Sequence, residues 1–387
     1  MARRNRTIIL LSAAVVIAGL AGFWLFARGD ASDGAGSFGE TEELPLQVPL
    51  ADTTDLRAQF DAELHAIKDN HSRALYEKWI GQIGANGIID VLNNGEYKGC
   101  HDVAHDLGKV IYDQTFDVGT TLRVCEDVCS SGCMHGTLME FFGATDQQVD
   151  GITEADEHTT LDTVKERIHS ICGAEDGTGG NAVMRENWRV GDCVHAVGHA
   201  VMFLANYDIP LAISYCDLLD SEQLSYYCAT GAYMEYVVNH DTPSPVTVDG
   251  LMQPCAGADY PAACFHYRFP NALGTYYAAG GAFKDLVNAC LTLSGNDQLG
   301  CFHGIGNGHY LPAVRGQATL GQLCAYGNHD DQYVCTEGLI ERMGRYNPDK
   351  AVAQCDTVDA GWQRDLCLAA AGRGLYDPSK PFDLYQK

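Results

Sequence analysis

The chain has 387 residues, 46% of them apolar, and sets 25 Lys+Arg against 51 Asp+Glu for a net charge of −26. That apolar share can bury a core and excludes a disordered or fibrous chain. The acidic excess repels phosphate backbones and excludes nucleic acid as a partner, while it favours cations.

Residues 1–6 (MARRNR) form a basic stub that precedes every acidic residue. Residues 7–26 (TIILLSAAVVIAGLAGFWLF) carry no charge. Twenty uncharged, mostly apolar residues match a hydrocarbon core of about 30 Å, so the segment reads as a transmembrane anchor. The arginines before it keep the N-terminus cytoplasmic and send the body outside, periplasmic or at the cell surface. A cleaved signal peptide is the rival reading. Its apolar core is shorter and ends in a small-x-small site, and no clean site follows Phe26. Residues 27–52, rich in Gly, Ser, acidic residues and Pro, read as a flexible tether. Residues 53–99 show helical periodicity over 55–94 and are expected to cap the cysteine-rich region.

From residue 100 to about 380 the chain repeats. Eight cysteines each open a helix: Cys100, Cys133, Cys193, Cys228, Cys264, Cys301, Cys335 and Cys367, at intervals of 33, 60, 35, 36, 37, 34 and 32. A period near 35 is that of a helix–turn–helix repeat. The interval of 60 reads as one unit with extra residues at 143–160 and 173–190. A second cysteine on a shorter helix precedes the next opening one by 8 to 12 residues, or by 21 in the enlarged unit. Such a gap returns the chain through one turn and brings two Cα atoms within disulfide reach. The spacing therefore pairs Cys125–Cys133, Cys172–Cys193, Cys216–Cys228, Cys255–Cys264, Cys290–Cys301, Cys324–Cys335 and Cys355–Cys367. Cys100 and Cys129 are left for each other, so all sixteen cysteines are used. An even count without a free thiol fits an oxidising compartment.

This arrangement, most visibly in ACLTLSGNDQLGC and CDLLDSEQLSYYC, resembles cysteine-rich, disulfide-stapled tetratricopeptide-like proteins over about residues 100–376. The resemblance implies an all-α chain: an α-solenoid of about seven to eight stapled hairpins behind one N-terminal transmembrane helix. It also implies an adaptor role, with a concave groove that takes a protein partner.

The histidines lie outside that resemblance. Two residues beyond each opening cysteine stand Asp102, His135, His195, Thr230, His266, His303, Glu337 and Ala369. At 100° per residue this position lies on the far side of the helix from the bridge, where the groove is expected. His195 and His199 are one turn apart, as are His101 and His105, a spacing that sets two imidazoles on one face. The expected metal set is His135, His195 and His199. A second is His266, His303 and His309 with Glu337 nearby, and His101, Asp102 and His105 are further candidates. GIGNG, between His303 and His309, is expected to break its helix. Imidazoles of this kind suit a divalent transition metal, zinc or copper. The competing reading gives the histidines a structural hydrogen bond in each unit. CEDVCSSGCMHGTLM also resembles a dinuclear copper loop, although the disulfide pairing accounts for the same cysteines. No catalytic motif is present, so two functions stand from the sequence. One is an anchored, extracytoplasmic scaffold with a His-lined groove. The other is a metal-binding protein or metal-dependent enzyme.

Overall fold

The computed structural model describes residues 46–67, 72–95, 100–125, 128–129, 131–142, 165–166, 172, 190–219, 221–240, 244–359 and 361–373, without the side chains of Asp102, Val190 and Asp192. The stub at 1–6, the apolar segment at 7–26, most of the tether and most of the enlarged unit's extra residues lie outside these. Among the described residues there are seventeen α-helices and no strand, and no helix is long and apolar enough to cross a membrane.

The order begins with α1 (Thr54–Ala66) and α2 (Arg73–Asn94). Asp106, on the next helix, accepts the backbone N–H groups of Ser72 (2.7 Å) and Arg73 (3.0 Å), which ties the start of α2 to the repeat. Next come α3 (Cys100–Thr115), α4 (Val118–Cys125), α5 (Gly132–Phe141), α6 (Val190–Leu204), α7 (Ile209–Cys216), α8 (Glu222–Asn239), α9 (Val248–Met252), α10 (Pro261–Ala278), α11 (Phe283–Thr292) and α12 (Gly295–Gly308). The chain continues with α13 (Tyr310–Val314), α14 (Leu320–Leu323), α15 (His329–Tyr346), α16 (Pro348–Gln354) and α17 (Gly361–Ala371). Local chemistry sets several starts. Asp208 and Ser221 cap α7 and α8 through the N–H groups of Leu211 and Leu224, and Thr319–Gln322 and Asn328–Asp331 are capping boxes.

The longer helices α3, α5, α6, α8, α10, α12, α15 and α17 each pack against the next in that series. Shorter helices lie beside them, joined by disulfides. The eight bonds are Cys100–Cys129, Cys125–Cys133, Cys172–Cys193, Cys216–Cys228, Cys255–Cys264, Cys290–Cys301, Cys324–Cys335 and Cys355–Cys367, with Cα–Cα distances of 5.3–5.7 Å. No free thiol remains for a copper loop at 125–139.

Three pairs of long helices cross at glycines in a reciprocal way. A Cβ at Gly108 on α3 would strike the Cys133 carbonyl oxygen on α5, and one at Gly136 on α5 would strike that of His105 on α3. The same exchange links Gly198 and Cys228 with Gly231 and His195 across α6 and α8. It recurs between Gly306 and Cys335 and between Gly338 and His303 across α12 and α15. Backbones this close leave no room for any side chain at the crossing. They also hold the residue beside each glycine against the partner helix. The glycines of GIGNG serve the same packing. Gly304, Gly306 and Gly308 lie against Phe265, the Cys335 carbonyl and Leu273, so α12 runs unbroken to Gly308, contrary to the break expected there.

Candidate metal centre

Five imidazoles from three consecutive long helices form one cluster: His101 and His105 on α3, His135 on α5, and His195 and His199 on α6. Ring centroids are 4.5 Å apart for His135–His199, 4.8 Å for His101–His105 and for His101–His135, 5.1 Å for His195–His199 and 5.4 Å for His135–His195. His105, His135, His195 and His199 are at most 7% exposed. At His135 and His195 position +2 thus lies inside the molecule. The cause is that α3 and α6, two helices apart in the series, also meet, with the His101 and His199 rings 6.2 Å apart. A face opposite the bridge becomes interior when alternate helices touch. Asp102 is on α3, and its side chain is outside those described.

Hydrogen-bond partners fix the tautomers. Glu235 on α8 is fully buried and accepts from His199 Nδ1 at 2.8 Å, Tyr207 Oη at 3.3 Å and Asn239 Nδ2 at 2.6 Å. The carboxylate accepts here, so His199 donates from Nδ1, and in the neutral ring it is Nε2 that carries the lone pair. Thr230 Oγ1 donates to the Tyr227 carbonyl at 2.5 Å and so accepts from His195 Nδ1 at 2.8 Å. His195 Nε2 then also carries a lone pair. These two Nε2 atoms face each other at 3.4 Å. Two nitrogens bound to one tetrahedral zinc lie about 3.3–3.4 Å apart, given bonds of about 2.0–2.1 Å. On the other side, His101 Nδ1 faces the Cys129 carbonyl at 3.2 Å, and its Nε2 lies 3.1 Å from His135 Nδ1. His105 Nε2 is buried without a hydrogen-bond partner. One donor atom each from His101, His135 and His199 lie within 4.8 Å of one another.

Burial drives the pKa of His105, His135 and His195 well below the ordinary histidine value, and the neighbouring imidazoles push the same way. These rings are neutral, the form that binds metal. No family model matches the chain, and neither a curated protein nor a solved structure matches it.

The second expected set is only partly assembled. His266 on α10 and His303 on α12 stack with centroids 5.5 Å apart, and both are buried. Their carboxylate neighbour is Glu341 on α15, 3.3 Å from His303 Nε2. Glu337 is instead ion-paired to Arg373 at 2.8 Å. His309 lies apart as well. Its Nδ1 donates to the Ile305 carbonyl at 2.7 Å, its Nε2 accepts from Tyr277 Oη at 2.7 Å, and burial lowers its pKa. It closes the end of α12, and both of its ring nitrogens are committed there. Glu235 and Glu341 are absent from the candidates that the sequence suggests. Each lies about one turn beyond the glycine at position +3, a recurrence visible in CMHGTLME, CATGAYME and CTEGLIE.

Proposed function

We propose that the chain binds one first-row transition-metal ion, zinc or copper, in the five-histidine cluster of α3, α5 and α6. The observation that carries this reading is the approach of His195 Nε2 and His199 Nε2 to 3.4 Å in a buried site, the spacing of two nitrogens on one metal ion. Each ring's other nitrogen is committed to a partner, so neither can turn its proton inward. Two imidazole nitrogens at that distance share either a proton or a metal ion, and the further imidazoles around them favour the metal. Glu235 would then act as the carboxylate that orients a metal-bound histidine and raises its basicity. His101 and His135 supply further nitrogens, and His105 Nε2 an otherwise unsatisfied one.

The anchor at 7–26, an extracytoplasmic body and a tightly wound α-solenoid belong to the same proposal. Sixteen paired cysteines and the sequential packing of long helices support it. A scaffold whose partner grips these histidines would need them on an open surface, and four of the five are buried.

The full-length chain, expressed in metal-replete medium, is expected to retain about one equivalent of metal by elemental analysis. His199→Ala should abolish retention, and Glu235→Gln should weaken affinity about 10–100-fold while the fold persists. A chain that is isolated metal-free and takes up neither zinc nor copper on titration would leave the histidines a structural role only.

A further inference from the structure

We propose that Cys100–Cys129 is an exchangeable disulfide that controls the five-histidine centre: closed, it holds His101 and His135 in place for metal, and opened by an external dithiol it releases them. This rests on the metal reading above. Of the sixteen cysteines, fourteen are at most 5% exposed, and only Cys100 and Cys129 are partly open to solvent. Thiol–disulfide exchange requires an attacking thiolate to reach a sulfur, so exposure singles out this bond. It is also the bond that touches the centre. Cys100 directly precedes His101 on α3, and the Cys129 carbonyl accepts from His101 Nδ1 at 3.2 Å.

The turn from Cys129 into α5 is held in an unfavourable shape. Cys129 (φ +51°) and Ser131 (φ +72°) both lie in the left-handed region without being glycine, a conformation that persists only where the surroundings enforce it. Three contacts tie this turn to the cluster. Gly132 lies so close to the His101 carbonyl that a Cβ has no room, the Ser131 carbonyl accepts the His135 N–H at 3.0 Å, and His135 Nδ1 lies 3.1 Å from His101 Nε2. The disulfide fastens the same turn to the first residue of α3, with its Cα atoms 5.5 Å apart. Its cysteines are 29 residues apart, the widest separation of the eight bonds, so opening it frees the longest loop. The buried Cys125–Cys133 bond still joins α4 to α5, which confines the loosening to the turn, the start of α3 and the histidines they carry.

The exchange proceeds in two steps. A thiolate of the dithiol attacks one sulfur of the bond and expels the other as a thiolate, leaving a mixed disulfide. The donor's second thiol then displaces the remaining cysteine. The donor leaves as a disulfide, and its two electrons and two protons end on Cys100 and Cys129 as two thiols. Without the tie the turn relaxes toward right-handed backbone, and His101 and His135 lose the fixed placement that a shared ion needs. Metal is therefore held in an oxidising compartment and let go where dithiols are supplied.

Metal-stripped full-length chain, treated with dithiothreitol without denaturant, alkylated and peptide-mapped, tests the bond without relying on metal. Cys100 and Cys129 should label at least about tenfold faster than any other pair, with the helical signal kept. Labelling no faster than at Cys324–Cys335 overturns the proposal and leaves the metal reading untouched. Competition with a chromophoric chelator then measures zinc affinity. Cys100→Ser/Cys129→Ser should bind one equivalent at least about tenfold more weakly than the parent. Should that variant fail to fold, the chain alkylated at Cys100 and Cys129 in the first step is measured instead. Affinity equal to or tighter than the parent's overturns the proposal alone. A parent that takes up neither zinc nor copper, while its Cys100–Cys129 bond still opens first, overturns the metal reading and with it the control assigned to the bond.

Discussion

Metal-stripped protein should lose stability steeply as the pH falls below about 6.5. His105, His135 and His195 are kept unprotonated by burial in the folded state, whereas in the unfolded chain each takes up a proton near the ordinary histidine value. The unfolded state therefore binds more protons below that pH, and their contribution is complete above it and lost on acidification. Each such histidine changes stability by about 1.4 kcal/mol per pH unit, and three together by about 4 kcal/mol per unit. Domain stabilities are about 5–15 kcal/mol, so one to two pH units should remove a large part. Lys109 and Arg345 add to the depression, at His105 and His195 respectively. Glu140 and Asp331, raised by burial, act in the opposite sense nearer the carboxylate range. Denaturant melts at pH 7.5, 6.5 and 5.5 in the presence of chelator measure the slope. A flat profile would mean that the rings are hydrated or already charged in the folded chain. Bound metal should move the loss to lower pH, since it competes with protons for the same lone pairs.

Gly231→Ala should be among the most damaging single-methyl additions. A Cβ there overlaps the His195 carbonyl oxygen and the backbone of α6, with no flexible side chain to yield. The helices must part, which costs about 3 kcal/mol by the measure of overpacked cores. Metal affinity should fall with it, because Thr230 orients His195 from the adjoining position. Gly274→Ala is the matched control. It adds the same methyl group to α10 where nothing lies within 4 Å, and the gain in helix propensity should stabilise the chain by about 0.5–1 kcal/mol. Thermal melts of the two variants should therefore move in opposite directions. Equal and small shifts would show that the α6–α8 crossing has slack.

The helical class is legible from cysteine spacing, because a bridge across 8 to 12 residues leaves room for little except a turn between two helices. The eight bonds join the cysteines that those gaps pair. The pairing of His195 with His199 is legible from the helical repeat alone. The surroundings of the histidines are not. An angle of about 200° from the cysteine says which side of a helix a residue occupies, but not what lies there. That depends on how tightly successive units wind, and contacts such as His101 with His199 and His195 with Tyr267 are between helices that are not neighbours in the series. Glu341 escapes the sequence pattern for a related reason. Glu337 holds the histidine-equivalent position, yet Arg373, just beyond α17, claims it, and Glu341 one turn later meets His303 instead. His309 is close to His303 in sequence, and the continuous α12 carries it away from the site.

Every disulfide closes a ring over a short stretch of chain, apart from the interleaved pair at 100–133 and the bond across 172–193. Between consecutive rings the covalent connection is a single backbone strand, such as residues 229–254 between Cys228 and Cys255. Under tension applied at the two ends, the bonds shorten the chain that can be drawn out, because the residues inside each ring stay slack. They do not hold one hairpin to the next. That resistance comes from the packing of successive long helices, and a freed stretch such as 229–254 extends to about 90 Å at about 3.3–3.6 Å per residue. A metal ion bound across α3, α5 and α6 would be the mechanical tie that the cysteines do not provide between α5 and α6.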